Sequence, residues 1–254
     1  MSYFAGLVSN EWMKANSKRQ LPYYYAFLFI MIVALGTIMR LFIFKSAGEF
    51  SSMDFLDTTV DIASIVTLYF MIVVSAQIIT DEYKDGTIKQ LLIRPASRTT
   101  ILMSKLVNLV VIVLSVYLIS TIIGYLTGII LFNGATTTTL GGVLAKLGFS
   151  IPGLLFYSLL AFTVAVLTKS LGISIIIPIA LQSIVGPLMG MFASKAWYKF
   201  LIFPNLNWGV YFKDQGASLP YDGASFGLAA LIYGVYIMVL LLITIFFFNK
   251  RDVQ

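Results

Sequence analysis

The side chains that could take part in chemistry are concentrated between Thr80 and Thr100, a stretch that reads TDEYKDGTIKQLLIRPASRTT. It places carboxylates, lysines, arginines and hydroxyls between two long apolar runs, in a chain that is 59% hydrophobic and only 11% charged. Carboxylates and lysines can transfer protons, and an activated serine can act as a nucleophile. Because the chain contains no histidine and no cysteine, any catalysis would depend on carboxylates, lysine, serine or tyrosine.

The missing residue types exclude several kinds of site. Without cysteine and histidine there are no disulfides, no thiolate or imidazole metal ligands and no Ser-His-Asp triad. An intramembrane enzyme would need an aspartate pair or a Ser-Lys dyad within the bilayer, and neither can be placed. We therefore predict that this chain is not an enzyme and has no catalytic residues, no metal site and no cofactor of its own.

The apolar segments that must position the charged stretch predict the fold class. Six segments are each near the roughly 20 residues that a helix needs to cross a hydrocarbon layer about 30 Å thick. We predict an all-α, polytopic membrane protein in which residues 1–254 form a single transmembrane domain embedded in the lipid bilayer. The predicted spans are residues 21–44, 60–80, 101–132, 143–168, 171–191 and 225–248.

The distribution of positive charge predicts the orientation of the spans. If the N-terminus is cytosolic, eleven of the 17 lysine and arginine residues lie on the cytosolic side. The first loop on the other side, residues 45–61, is acidic. We therefore expect both termini in the cytosol and the chain in the plasma membrane. The net charge of +6 is explained better by this topology than by a polyanion, so no nucleic-acid partner is expected.

Two segments outside the spans are predicted to lie at the membrane surface. Phe4, Leu7, Val8 and Trp12 recur at helical spacing, so residues 1–20 are expected to form an interfacial amphipathic helix rather than a frayed tail. The loop of residues 192–224 is rich in aromatic residues and poor in charge. It predicts short outer helices before the sixth span, which either anchor the chain or take part in gating or substrate release.

The fourth and fifth spans are separated by a predicted tight polar hinge at residues 168–170, and Pro152, Pro178 and Pro187 are expected to break the helices around it. Two G-x-x-x-G pairs in the third and fifth spans permit close backbone approach, and packing within the chain is favoured over a subunit interface. The candidates for a pathway or for helix packing are Gly124, Gly128, Pro178, Gln182, Gly186 and Pro187.

The stretch from Thr80 to Thr100, which we call the insert, has the pattern of a short amphipathic helix. Gly86 can release the chain from the preceding helix, Asp85 or Thr87 can cap a new one, and Pro95 can end it. A rigid helix here would pass an applied force to both neighbouring spans, whereas the plainer alternative is an inner loop that obeys the positive-inside rule. The residues that share its apolar face are Ile88, Leu91 and Leu92.

The order of residues in and around the insert carries a family resemblance. Between the second and third predicted spans lie Glu82, Gly86-Thr87, Leu91-Leu92, Pro95, Ser97-Arg98 and Lys105. This order resembles the transmembrane permease subunits of the bacterial ABC-2 family of ATP-binding-cassette exporters. With the leader helix and the aromatic outer segment, the resemblance covers nearly the whole chain.

The resemblance implies a coupling helix and two kinds of partner. A cytosolic ABC ATPase, which binds ATP and Mg, would receive the helix formed by residues 85–94, assisted by the leader helix, and a second permease copy or homologue would complete a dimer. The chain has no G-x-x-x-x-G-K-[ST] motif, so ATP would be handled by the partner. The implied coupling residues are Glu82, Asp85, Gly86, Thr87, Ile88, Leu91, Leu92, Arg94, Pro95 and Arg98.

The expected function is export of an amphipathic or hydrophobic substrate, a peptide foremost and otherwise a lipid or an antibiotic. Two alternatives stay open: a secondary transporter, and a non-transporting membrane subunit of a resistance or sensing complex. No Asp or Glu lies in the middle of a predicted span, which weighs against proton coupling, while sodium sites built from carbonyl groups remain compatible with the sequence.

Overall fold

The computed structural model describes residues 3–44, 50–86, 97–135, 138–212 and 219–250. Within these ranges the chain forms helices and no strand. Six of the described helices are long and apolar enough to cross a membrane, which confirms the predicted fold class. They are Gln20–Ile43, Ser52–Lys84, Arg98–Leu131, Leu140–Thr168, Leu171–Gly190 and Phe226–Lys250.

The helices are labelled in chain order. The first four are α1 (Tyr3–Ser17), α2 (Gln20–Ile38, continued by the π-helical turn Met39–Ile43), α3 (Ser52–Lys84) and α4 (Arg98–Leu131). Then follow α5 (Leu140–Thr168), α6 (Leu171–Ala180), the π-helical turn Leu181–Val185, α7 (Gly186–Gly190) and α8 (Phe226–Lys250). The predicted short helices before the last span are confirmed as the 3₁₀ helices Tyr198–Phe200, Phe203–Asn205 and Trp208–Tyr211.

Serine side chains begin three of these helices. The Ser51 hydroxyl accepts the Asp54 N–H at 3.1 Å, and the Ser97 hydroxyl accepts the Thr100 N–H at 3.2 Å. Ser225 does the same for Leu228 at 3.3 Å. Each hydroxyl satisfies one of the backbone donors that a helix N-terminus leaves unpaired, so α3, α4 and α8 start where a serine precedes the apolar run.

Two expectations about helix ends are wrong. The helix of the second span begins at Ser52, so Asp54 and Asp57, which were predicted to lie in a loop, occupy the first turns of α3. Pro152 and Pro178 do not break their helices, because Pro152 lies inside α5 (Leu140–Thr168) and Pro178 lies inside α6 (Leu171–Ala180). Helices in membranes tolerate proline where neighbouring groups satisfy the freed backbone carbonyl. The chain turns instead at the predicted hinge, where Lys169 has a φ of 57°.

The leader is helical as predicted, and one of its faces packs within the protein. Leu7, Glu11 and Ala15 are the buried positions of α1, at a spacing of four residues, and α1 packs against α2. Glu11 is tolerated there because the Lys14 ammonium lies 3.0 Å from its carboxylate. The other residues of the predicted stripe, Phe4, Val8 and Trp12, line an open apolar groove, and their contact with the membrane surface stays a prediction.

Contacts within the chain divide it into two compact units. The first comprises Met1–Thr67 and Val110–Gly148, and the second comprises Leu68–Leu109 and Phe149–Gln254. The long helices α3, α4 and α5 contribute residues to both units. The prediction of one transmembrane domain over the whole chain stays a prediction.

Glycines let the helices of the first unit approach closely around a core that contains Ile32 and Phe55. A Cβ atom on Gly128 would lie 2.7 Å from the backbone oxygen of Ser52, and one on Gly124 would lie 2.9 Å from Thr59 Cγ2. The G-x-x-x-G pair of α4 therefore packs against α3 within the same chain, as the sequence interpretation favoured.

The second unit has its own core, in which residues from α3 and α5 meet the segment that precedes α8. Ile72, Phe156, Tyr157, Ala161 and Ile202 form its buried cluster. A hydroxyl pair strengthens the same unit, because Thr163 of α5 and Thr244 of α8 lie 2.8 Å apart and both are buried. This unit carries the insert and the polar groups described below.

We expect Gly128→Val to lower the free energy of unfolding by about 1–3 kcal/mol, because a side chain there overlaps the α3 backbone. Gly234→Val, at a helical position with open space around the glycine, is the matched control. Thermal unfolding of both variants in detergent micelles measures the difference. Equal losses would show that the close approach at Gly128 does not stabilise the first unit.

Candidate functional site

The insert is described only at its two ends. Gly86 has a φ of +67°, which confirms that it releases the chain from α3. Asp85 follows α3 directly, Glu82 lies in its last turn and Arg98 is the first residue of α4. The remaining predicted coupling residues lie outside the described residues: Thr87, Ile88, Leu91, Leu92, Arg94 and Pro95.

A buried ion pair joins the two helices that flank the insert. Lys105 Nζ of α4 lies 2.6 Å from Glu82 Oε1 of α3. The Lys105 side chain is fully buried and that of Glu82 is 9% exposed. Leaving either charge alone in such a site is costly, so the two side chains hold the helix ends together.

Other polar contacts surround this pair. The Arg98 guanidinium donates a hydrogen bond of 2.9 Å to the carbonyl of Asn249 at the end of α8. The Lys169 ammonium at the hinge lies 4.7 Å from the centre of the Tyr83 ring. We call Glu82, Lys105 and Arg98 the insert anchor. It links α3, α4 and α8 where the insert leaves and rejoins the helices.

A second polar group lies at the π-helical turn that follows α6. The Gln182 amide oxygen accepts hydrogen bonds from the Tyr69 hydroxyl at 3.0 Å and from the Ser183 hydroxyl at 2.6 Å. In the same turn the Gly186 N–H donates to the carbonyl of Leu181. This bond spans one residue more than the bonds of an α-helix, which is what defines a π-helix. Gln182 and Gly186 were predicted from the sequence, whereas Tyr69 was not, because its partner Gln182 lies 113 positions away along the chain.

An open cavity of about 420 Å³ adjoins Gln182. No Asp, Glu, Lys or Arg is among the described residues that line it. Burial raises the pKa of the Tyr198 hydroxyl on its wall above the ordinary value for tyrosine. The polar residues of the lining are Ser150, Tyr157, Gln182, Tyr198 and Asn207.

A third polar cluster, in the first unit, was not predicted from the sequence. The Lys146 ammonium of α5 lies 2.8 Å from Asp57 Oδ2 and 2.7 Å from Asp61 Oδ2 of α3. These partners are partly exposed, and the aspartates are four residues apart on one helix face, which was the available signal. No group of three or more Asp and Glu side chains in the described part of the chain is placed to hold a metal ion.

Comparison with known proteins gives a family for the chain. Residues 28–254 match the family described as protein of unknown function DUF2705. The chain belongs to this family. It is also 27% identical over 190 residues to the uncharacterized membrane protein YdbK of Bacillus subtilis (strain 168), which covers 72% of this chain and 76% of YdbK. The uncharacterized protein YhcI of the same organism is 28% identical over 211 residues, or 75% of this chain and 66% of YhcI.

The family assignment made from the insert is therefore wrong. The sequence pattern was attributed to the ABC-2 family, whereas the match over residues 28–254 is to DUF2705. The attribution relied on the order of residues in and around the insert, together with the leader helix, six spans and the aromatic outer segment. Bilayer thickness, the positive-inside rule and common helix-ending residues produce such features in unrelated membrane proteins, so they do not identify a family.

We expect Lys105→Met to destabilise the second unit by about 3–5 kcal/mol, because it leaves the Glu82 carboxylate buried without its cation. The double variant Glu82→Gln with Lys105→Met removes both charges and should recover most of the loss. Thermal unfolding in detergent micelles measures the coupling between the two positions. Additive losses in the double variant would contradict a buried pair.

Proposed function

We propose that this chain is the membrane-embedded permease subunit of an ATP-driven exporter, with ATP hydrolysed by a separate cytosolic protein. The observation that carries the proposal is the buried ion pair between Glu82 and Lys105, which ties together the two helices on either side of the insert. A contact made by the insert with a cytosolic partner would then act on both helices at once.

The lengths of these helices suit such a role. α3 has 33 residues and α4 has 34, so each extends about 50 Å, further than the hydrocarbon thickness of about 30 Å. A displacement at the insert would therefore reach the opposite membrane surface through continuous backbone hydrogen bonds. Arg98 extends the same connection to α8, whose end lies beside it.

The proposed orientation follows from charge. The excess of lysine and arginine near the insert and the termini favours the cytosolic side for all three. A cytosolic ATPase could reach the insert only from that side. We also propose that a second copy or homologue of the chain completes the exporter.

The proposed substrate class is supported by the apolar spans and by the cavity of the second unit, whose described lining has no charged side chain. Both favour an amphipathic or hydrophobic molecule, with a peptide as the leading substrate and a lipid or an antibiotic as the other members of the class. The proposed direction of movement is outward, away from the ATPase. The membrane location itself agrees with the description of YdbK as a membrane protein.

Coupling through the insert is tested with the chain in lipid vesicles together with a candidate cytosolic ATPase from the same cell. We expect Leu91→Glu to lower chain-stimulated ATP hydrolysis about tenfold or more, because a charge on the predicted apolar face opposes docking at a cost above about 1.4 kcal/mol. Gln90→Glu adds the same charge off that face and should leave hydrolysis unchanged. Hydrolysis is measured as phosphate released at saturating ATP.

Three results would contradict the proposal. Equal hydrolysis for the parent and Leu91→Glu would remove the coupling role of the insert. Substrate movement that follows an ion gradient without the ATPase would favour a secondary transporter. A stable complex with the ATPase that moves no peptide, lipid or antibiotic would favour a non-transporting subunit.

A further inference from the structure

We propose that the cavity beside Gln182 is a binding site for an uncharged amphipathic molecule whose polar head carries a hydrogen-bond acceptor. The proposal concerns binding by the second unit alone. It goes beyond the proposed function, since it holds for a transported molecule and for a bound lipid that regulates the chain.

The absence of charge in the lining determines the charge of the ligand. Among the described residues, its polar groups are hydroxyls and side-chain amides, and no Asp, Glu, Lys or Arg contributes to it. A charged head group placed against these walls would lose hydration without gaining a counter-charge, which costs several kcal/mol. A neutral head group loses less and can be compensated by hydrogen bonds.

The Gln182 amide determines what the head group must offer. Its oxygen already accepts two hydroxyl hydrogen bonds, from Tyr69 and Ser183. Those two bonds orient the amide, and its nitrogen carries two N–H donors that have no acceptor among the described residues. Asn207 places a second side-chain amide in the same lining. A carbonyl, ether or hydroxyl oxygen on the ligand would satisfy such donors.

The rest of the cavity suits an apolar body. Phe149, Pro187, Phe203 and Leu206 contribute apolar walls, and the volume of about 420 Å³ lies within the range of roughly 300–1,000 Å³ found for small-molecule pockets. Gly153 keeps part of this space open, because a Cβ there would already lie 3.9 Å from Leu206 Cβ. The π-helical turn Leu181–Val185 carries Gln182 into the lining, and such turns recur at functional sites.

The test uses the full chain in phosphatidylcholine vesicles and three photoreactive probes that share one diazirine-bearing alkyl chain. The neutral probe is a monoacylglycerol, and the charged probes are the alkyl sulfate and the alkyltrimethylammonium. After irradiation, mass spectrometry maps the labelled residues. We expect the monoacylglycerol to label the peptides around Gly153, Gln182 and Leu206 about tenfold more than either charged probe, in line with a desolvation difference above 1.4 kcal/mol.

Matched variants locate the site. Gly153→Leu fills the cavity and should reduce labelling by the neutral probe about tenfold, if filling it forfeits more than about 1.4 kcal/mol of binding energy. Gly148→Leu makes the same change earlier in α5, at an exposed glycine with nothing within 4 Å of an added Cβ, and should leave labelling unchanged. Gln182→Leu keeps the approximate size of the side chain but removes its donors, and should lower labelling by the neutral probe about tenfold, if the lost hydrogen bonds contribute about 1.4 kcal/mol.

The outcomes separate this inference from the export proposal, because labelling needs neither ATP nor an ATPase. Equal labelling by neutral and charged probes, or equal labelling of the two glycine variants, would mean that the cavity holds only bulk lipid and would overturn the inference. If Gly153→Leu does not elute as a folded, monodisperse protein, Gln182→Leu decides. Undiminished labelling of that variant by the neutral probe overturns the role of the amide donors.

Discussion

The structure depends on one constraint: in a hydrocarbon layer, backbone N–H and C=O groups must find partners within the protein. Helices meet this requirement within a single segment, which is why six apolar runs become six helices. Side-chain hydroxyls in the spans follow the same rule by bonding back to their own helix. Thr80 donates to the Ala76 carbonyl at 3.0 Å, and Thr163 donates to the Leu159 carbonyl at 2.8 Å.

Against this background, the polar groups of the second unit fall into two kinds. The insert anchor has its opposite charges paired and buried, so it resists separation of α3 and α4 and suits mechanical linkage. The Gln182 amide is different, because its acceptor is satisfied and it lies in the lining of a cavity whose described residues carry no charge. The ion pair that links the helices and the cavity proposed to bind a ligand therefore lie at different places in the same unit. A mutation can alter either of them without the other.

The insert and the hinge show how far local sequence patterns reach. Gly86 takes the left-handed conformation expected of a glycine that ends a helix, and the chain turns at Lys169 between two apolar runs. The start of α3 was missed because hydropathy does not register a serine cap followed by aspartates in the first helical turns. The burial of Glu11 in α1 was not predicted, because residue type does not show its pairing with Lys14. In both places a side-chain partner outweighed residue type.

By itself, the sequence determined the number of spans, the absence of histidine and cysteine chemistry, and the ends of the insert. These depend on segment length, composition and local backbone preference. The tertiary structure alone decided that Lys105 pairs with Glu82, that Tyr69 orients Gln182, and that the described lining of one cavity has no charged side chain. The physical reason is distance along the chain: hydropathy and helical period describe neighbouring residues, whereas ion pairs and cavities form between helices that only folding brings together.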